Sequence, residues 1–408
     1  MTAQRPRIAI AYDCLFPYTT GGGERQYRSF ADWMVTRGND VEYLTAVQWA
    51  EDEAPDAADF SVVPVAGRLR LYDDQGVRRP AAAIRFAFGL FNALRRRRQS
   101  YAAVLVSGLP VFNVFAARAA LVGSHTPLVV DYLEVWGRRQ WREYAGTVTG
   151  TAAWIVQRLA IALTPTATAH SQLTATRLRR EGFRGRLLVS PGLLDPAPDS
   201  RVIPSSPADP PYVLYVGRHI PDKRVEALPA AVATARRALG DLRLIILGEG
   251  PTSPDVKAAV DGAGGRSWTD CPGFVSQAEL DRLMAGAAVL VNPSRREGYG
   301  LVVVEAAAHG TPTVLVRDEG NASTELLDEG VNGTVARSAD PSDLGAAIVT
   351  TVAAGAALRA STRAWYEEAI RTRTVERTVD AILDAVIPSS APNEPIPARR
   401  ARRTEGPS

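Results

Sequence analysis

Residues 290–316, L-V-N-P-S-R-R-E-G-Y-G-L-V-V-V-E-A-A-A-H-G-T-P-T-V-L-V, constrain the fold more than any other stretch of the chain. Two short apolar runs, at 288–291 and 313–316, read as buried parallel strands. Between them lie a glycine-broken loop and an alanine-rich helix closed by Gly310. Gly298 and Gly300 let the loop backbone approach a ligand, and a helix that begins there aims unpaired N–H groups and the positive end of its dipole into the loop. An anion, most naturally a phosphate, suits that position. Glu297 precedes the helix, and Glu305 falls on its second turn. At about 1.5 Å per helical residue, Glu305 stands roughly 8 Å along the axis from Gly300. The two carboxylates therefore flank the anion site, one placed to meet a sugar on one side of a diphosphate and the other a ribose beyond it.

Upstream, residues 212–216 form a strand that delivers Gly217 and Arg218, with Lys223 five residues after the arginine. Another strand, 242–247, runs into Gly248-Glu249-Gly250-Pro251. Gly273-Phe274-Val275 then precedes a helix over 277–285. This order of G-R-x-x-x-x-K, G-E-G-P, G-F-V and P-S-x-x-E-G-Y-G-L-V-x-x-E-A-x-A-x-G-x-P resembles the glycosyltransferase family 4 enzymes, retaining transferases with the GT-B fold. The resemblance is strong over about 150 residues and weak before them. It implies an α/β protein of two Rossmann-like domains facing a cleft, with C-terminal helices crossing back to the first domain. It assigns Glu297 to the donor sugar hydroxyls and the backbone of Gly298, Tyr299, Gly300 and Leu301 to sugar and phosphate. Arg218 and Lys223 fall to the diphosphate, Glu305 to the ribose, and Gly217 and Val275 to further donor contacts. Glu297, Arg218 and Lys223 form the catalytic set. The two cations have a plain physical role: a leaving nucleoside diphosphate gains negative charge as the glycosidic bond breaks, and fixed positive charge stabilises that state most.

The first half opens with a strand at 7–13, a loop, and Gly21-Gly22-Gly23-Glu24 starting a helix that Gly38 stops, followed by a strand at 41–45. No G-x-G-x-x-G of a dinucleotide binder is present. The segment resembles instead the P-x-x-G-G-x-E of family 4, which makes Gly21, Gly22 and Gly23 either an acceptor-side or phosphate loop, or simply a tight turn. Further strands are expected at 102–107, 128–132, 166–170 and 186–189. After the 128–132 strand, where relatives often carry a His-Asp pair near the donor sugar, this chain has Leu133 and Glu134. The histidine is missing, and Asp131 and Glu134 are the nearest polar candidates to fill the gap. A helix over 81–99 ends in Arg95, Arg96, Arg97 and Arg98. These arginines complement the helix dipole; alternatively they form a basic, apolar surface resting on anionic lipid, an option raised by the lipid-linked acceptors common in the family.

At 408 residues the chain suits two domains with a core each. The expected boundaries are 1–192 for the acceptor-side domain, 193–211 for a proline-rich linker and 212–364 for the nucleotide-sugar domain. Returning helices at 365–387 and a disordered Pro- and Arg-rich tail at 388–408 complete the chain. With 46% hydrophobic and 22% charged residues and a net charge of +3, nothing demands a nucleic-acid partner. Cys14 and Cys271 fall in different domains, so no disulfide is expected and a reducing cytoplasm fits. The four histidines lack metal-ligand spacing and no D-x-D occurs, so no metal is expected and no cofactor beyond the sugar donor itself. The first residues lack the apolar core of a secretion signal, and no run reaches the roughly 20 apolar residues of a membrane span. A cytoplasmic protein, with peripheral contact at the inner membrane face as an option, is the resulting expectation.

The combined expectation is an enzyme that moves a sugar, with retention, from a nucleoside-diphosphate sugar to a glycan, lipid-linked or small-molecule acceptor. The departing phosphate oxygen would take the acceptor's proton. The rivals are a nucleotide-sugar epimerase or phosphorylase of the same fold, and a catalytically silent nucleotide-binding protein.

Overall fold

The structure is a computed structural model that describes residues 5–19, 21–50, 55, 59–71, 78–190, 192–195 and 207–387. The expected tail, and residues 196–206 of the expected linker, lie outside the described residues. The first domain runs β1 (Arg7–Ala11), α1 (Gly22–Thr36), β2 (Asp40–Ala46), β3 (Ser61–Ala66), α2 (Pro80–Arg97), β4 (Ala103–Ser107), α3 (Phe112–Ala120) and β5 (Leu128–Tyr132). It continues through α4 (Arg138–Ala145), α5 (Thr147–Leu163), β6 (Thr166–Ala169), α6 (Gln172–Arg180) and β7 (Arg186–Val189). Its seven strands are all parallel, in the order β3-β2-β1-β4-β5-β6-β7.

The second domain runs β8 (Tyr212–Val216), α7 (Leu228–Leu239), β9 (Arg243–Leu247), α8 (Ser253–Gly262), β10 (Thr269–Gly273), α9 (Gln277–Gly286), β11 (Val289–Asn292), β12 (Arg296–Glu297) and α10 (Leu301–Ala308). Then come β13 (Thr313–Val316), β14 (Gly320–Asn321), β15 (Gly333–Ala336), α11 (Pro341–Ala353), α12 (Gly355–Thr372) and α13 (Val375–Val386). Six parallel strands are ordered β10-β9-β8-β11-β13-β15, and β12 pairs with β14 beside them. Both sheets reverse strand order next to their first strand, at β1/β4 and at β8/β11. Open parallel sheets bind ligands outside the carboxyl ends of strands at such switch points, so topology alone directs attention to the loops after β1, β8 and β11.

Burial explains the strand sequences. Every residue of β4, β5, β11 and β13 is buried, which is why these strands read as unbroken apolar runs with helices on both faces. On one face of the first sheet α2, α3, α5 and α6 share a core with the strands. On the other, α1 packs with α13, which has crossed back from the far end of the chain. Val375, Thr378, Val379, Ile382 and Val386 of α13 are buried at helical spacing.

The crossing falls later than the sequence suggests. Residues 365–372 belong to α12, whose Tyr366 and Ala369 pack on α10 of the second domain, and only α13 returns. The reason is local: Arg373 and Thr374 break the helical run beside the first crossing, where Leu194 N–H bonds Arg373 O at 2.9 Å and Val375 N–H bonds Leu194 O at 2.9 Å. A side chain at Gly192 would put its Cβ 2.2 Å from Arg373 O, so glycine allows the two crossings to lie side by side.

Ile382 is 2% exposed in the first domain's core. Ile382→Ala is expected to destabilise that domain by about 2–5 kcal/mol, read as a lowered urea midpoint. A cost under about 0.5 kcal/mol would mean that α13 only rests on the first domain.

Candidate active site

Gly217 and Arg218 follow β8, and their loop is joined by backbone to the loop after β9. His219 N–H bonds Glu249 O at 3.0 Å, and Thr252 N–H bonds His219 O at 3.0 Å. Gly248 has φ 102°, and a Cβ there would lie 2.1 Å from Gly217 O, so this contact requires glycine. Arg218 is exposed and makes no side-chain hydrogen bond or ion pair among the described residues. Next, Pro221–Lys223 forms a single 3₁₀ turn, and Arg224, at φ 49°, ends it in the left-handed region. Asp222 accepts from Arg296 Nη2 at 2.6 Å and Arg295 Nη2 at 3.2 Å, and Arg224 Nε donates to Pro293 O at 3.0 Å. The turn is thus clamped to the loop after β11, and the clamp aims Lys223 at Glu297.

Lys223 Nζ donates to Glu297 Oε1, which also accepts from Asn292 Nδ2 at 3.0 Å and from Ser294 Oγ at 3.0 Å. The other oxygen, Oε2, takes no hydrogen bond among the described residues. Burial pushes this carboxyl up, but the Lys223 charge and the bonds from Lys223, Asn292 and Ser294 outweigh it and hold it below the usual range. Stabilisation from the pair is therefore in place above the ordinary carboxylate pKa and is lost only as pH falls through the lowered value. Gly300, at φ 97°, caps α10 where a Cβ would lie 2.4 Å from Ser323 Cβ. Tyr299 Oη accepts from Leu193 N–H at 3.2 Å, anchoring the loop to the crossing segment. Val275 packs into a core cluster with Tyr212, Leu214 and Met284.

Contacts from the first domain close on this loop. A Cβ at Gly298 would lie 2.4 Å from Leu133 O and 2.9 Å from Glu134 Cγ, so only glycine fits between the domains there. The Leu133 side chain packs beside Gly23 and clusters with Tyr299 and Leu301, an apolar role. Glu134 accepts from Trp136 Nε1 at 2.7 Å. Burial pushes its carboxyl up, the Trp136 bond opposes this, and nearby Glu297 adds to the rise. Of the two polar candidates at this strand end, Glu134 is thus the one beside Glu297.

Asp131 is corrected. It is fully buried, and its oxygens serve Thr168 Oγ1, His170 Nε2 (2.6 Å), Gln26 Nε2 (3.1 Å) and Tyr27 Oη (2.9 Å). With both oxygens engaged it fastens α1 to the sheet. At Gly21–23 the chain turns into α1. The Glu24 side chain lies beside Gly21, with Oε2 2.3 Å from where a Gly21 Cβ would stand, an acid in the first turn of α1. Gly22 faces Leu301, and Gly23 faces Tyr12 Oη.

Several residues were not found from sequence. Arg25, in the first turn of α1, pairs with Glu305 across the cleft at 3.1 Å. The Arg296 guanidinium, whose Nη2 pairs with Asp222 at 2.6 Å, lies 4.5 Å from the Trp136 ring centre, so the ring faces a cation whose buried Nε and Nη1 have no hydrogen-bond partner. Glu325, on the 3₁₀ segment Ala322–Leu326, accepts from Gln172 N–H (2.7 Å) and Leu173 N–H (2.8 Å) at the start of α6. Buried Asp13 pairs with Arg78, whose backbone N–H donates to Tyr144 Oη at 3.0 Å. No local motif marks any of these. A cavity of about 1330 Å³ opens between the domains beside Arg25, Gln26, Leu280, Leu301 and Glu305, while Glu297 and Lys223 lie outside its lining. Among the described residues no three His, Cys, Asp or Glu side chains converge as a metal site.

Since the Arg296–Trp136 stack bridges the domains, Trp136→Ala is expected to remove about 0.5–2 kcal/mol of closure energy and to raise the radius of gyration in small-angle X-ray scattering. An unchanged scattering curve would show that the stack does not hold the cleft closed.

Residues 210–354 match the family model described as "Glycosyl transferases group 1". The chain is 33% identical over 127 residues to alpha-D-kanosaminyltransferase of Streptomyces kanamyceticus, covering 31% of this chain and 32% of that protein. It is 32% identical over 197 residues to a D-inositol 3-phosphate glycosyltransferase of a Nocardioides species, 42% of each. These matches span about a third to two fifths of the relatives' lengths. Among solved structures, sucrose-phosphate synthase from Thermosynechococcus elongatus superposes with TM-score 0.76 at 18% identity, covering 93% of this chain and 98% of that one. Anabaena HepE, in complex with UDP and glucose, does so with TM-score 0.68 at 17% identity, covering 93% and 98%. The architecture is the GT-B fold of two parallel-sheet, Rossmann-like domains.

Proposed function

We propose that this chain is a glycosyltransferase that moves a sugar from a nucleoside-diphosphate donor to an acceptor hydroxyl with retention at the anomeric carbon. The observation that carries the reading is Glu297 at the β8/β11 switch point, with one oxygen held by Lys223, Asn292 and Ser294 and the other free to accept from a ligand hydroxyl. Around it, Lys223 and unpaired Arg218 supply positive charge to a diphosphate. The cavity beside Glu305 offers room for the nucleoside end. The neighbour in complex with UDP and glucose supports that donor class, and relatives named for glycosyl transfer support the reaction.

In this reading the bond from the anomeric carbon to the phosphate oxygen breaks as charge builds on the diphosphate, and Arg218 and Lys223 stabilise that charge. The acceptor oxygen bonds the anomeric carbon on the same face, and its proton passes to the departing phosphate oxygen. The ammonium and guanidinium supply the counter-charge, so turnover is expected to persist in EDTA. Closure of Leu133 and Glu134 over Gly298 limits water, and hence donor hydrolysis.

A panel of UDP-, GDP- and dTDP-sugars, read by product mass spectrometry, tests the activity. On the productive donor, Glu297→Ala is expected to lower kcat by about 10²-fold or more, and Glu305→Ala chiefly to raise KM. The reverse pattern would invert the assigned polarity of the site. Conversion of the donor with no acceptor, or a requirement for inorganic phosphate, would replace transfer with epimerase or phosphorylase chemistry.

A further inference from the structure

Glu297 and Glu305 are each held by a cation, but from different sides of the cleft. Glu297 Oε1 takes the Lys223 ammonium, and both residues belong to the second domain. Glu305 Oε1 takes Arg25 Nη1 at 3.1 Å, and this cation comes from α1 of the first domain. Helix register produces the pair. A Cβ on Gly22 would meet Leu301 Cδ1 at 3.4 Å, and one turn further along each helix Arg25 meets Glu305, so the first turns of α1 and α10 lie side by side. The needs of α1 do not explain an arginine there, because a cation near a helix start opposes the dipole. Its guanidinium carbon lies 5.6 Å from the Phe16 ring centre, and Nε and Nη2 make no hydrogen bond among the described residues. Nor does the pair hold the domains together strongly: the two side chains are 39% and 34% exposed, and an exposed ion pair contributes little. Both residues line the cavity between the domains, so a ligand there reaches them.

We infer that Arg25 is a positioning residue for the donor: it orients the Glu305 carboxylate from the opposite domain, so that the ribose of a nucleoside diphosphate meets a prepared acceptor only across a closed cleft. This rests on the donor reading above, in which Glu305 serves the nucleoside end. Lys223 reaches Glu297 within one domain, whatever the other domain does. Arg25 reaches Glu305 only across the cleft, which makes nucleoside affinity depend on closure. Linkage requires the reverse as well, so a bound nucleoside favours closure by the same factor. Arg25 acts through a group that binds the nucleoside and not through the reacting atoms, and its effect therefore falls on binding and not on the chemical step.

The test is a double-mutant cycle on the full chain, read by calorimetric titration with UDP, GDP and dTDP. For the nucleoside diphosphate that binds, Arg25→Ala is expected to raise Kd about fivefold or more, and Glu305→Ala at least as much. The double variant is expected to bind no more weakly than Glu305→Ala, because without the carboxylate Arg25 has nothing to orient. Arg25→Lys is expected to recover part of the loss, and on the productive donor Arg25→Ala is expected to raise KM while kcat stays within about twofold. Both positions are partly exposed, and an unchanged melting temperature without nucleotide controls for folding. Losses that multiply in the double variant would make Arg25 a donor contact in its own right and overturn the inference. Binding by Arg25→Ala as tight as wild type, or tighter, would reduce the pair to a strut or to an obstacle at the site, and overturns it too. In both cases wild type still binds and the donor reading stands, whereas a wild-type chain that binds none of the three nucleotides removes that reading and this inference with it.

Discussion

The half-buried ion pair between Lys223 and Glu297 is the interaction on which the rest of the site depends. Taking charges partly out of water is costly unless they are hydrogen-bonded as well as paired, and here Asn292 and Ser294 complete the shell of Glu297 Oε1. The pair exists because a short turn after β8 and a loop after β11 converge at the switch point of one sheet. Arg224 in its left-handed conformation and Asp222 between two arginines hold that convergence. The same clamp reaches the other domain: Arg296, bound to Asp222, lies on Trp136, and Trp136 donates to Glu134. Charge placement and cleft closure are therefore linked by direct contacts.

Closure has a defined pivot. The chain crosses between domains twice, and the crossings lie side by side at Leu194 and Thr374, with Gly192 giving passage to Arg373. Away from the pivot, Glu325 holds the start of α6, and Arg139 pairs with Glu319 at 2.7 Å. The Glu319 pair is exposed and contributes little, whereas Glu325 meets two backbone N–H groups at a helix start, where a carboxylate is favoured.

Much of the second domain was legible in the sequence because its motifs are local. Strand, glycine loop and helix follow one another within residues 290–316, so the backbone needs of Gly298 and Gly300 and the placement of Glu297 can be read without knowing what lies opposite. The two-domain parallel architecture was legible for a similar reason, since strands buried on both faces leave unbroken apolar runs. The first-domain side was not, because its roles are set by distant partners. Asp131 looks available from its strand position but is engaged by residues from α1 and from the end of β6. The neighbours of Gly21–23 (Glu24, Leu301 and Tyr12) are likewise set by the fold and, apart from Glu24, come from distant parts of the chain. The Arg25–Glu305 pair joins residues 280 positions apart, and nothing near either one announces the other. Returning helices were expected at the right end of the chain, but the break at Arg373 and Thr374 depends on the neighbouring crossing strand.

Hydrogen exchange with and without a nucleoside diphosphate tests most directly whether the pair marks a donor site. Added UDP or GDP is expected to slow exchange in the loop after β8, through Lys223, and in residues 293–305, with a smaller effect at the start of α1. Protection confined to the first domain, or none in either second-domain loop with any nucleoside diphosphate, would contradict the assignment of Lys223 and Glu297 to donor binding.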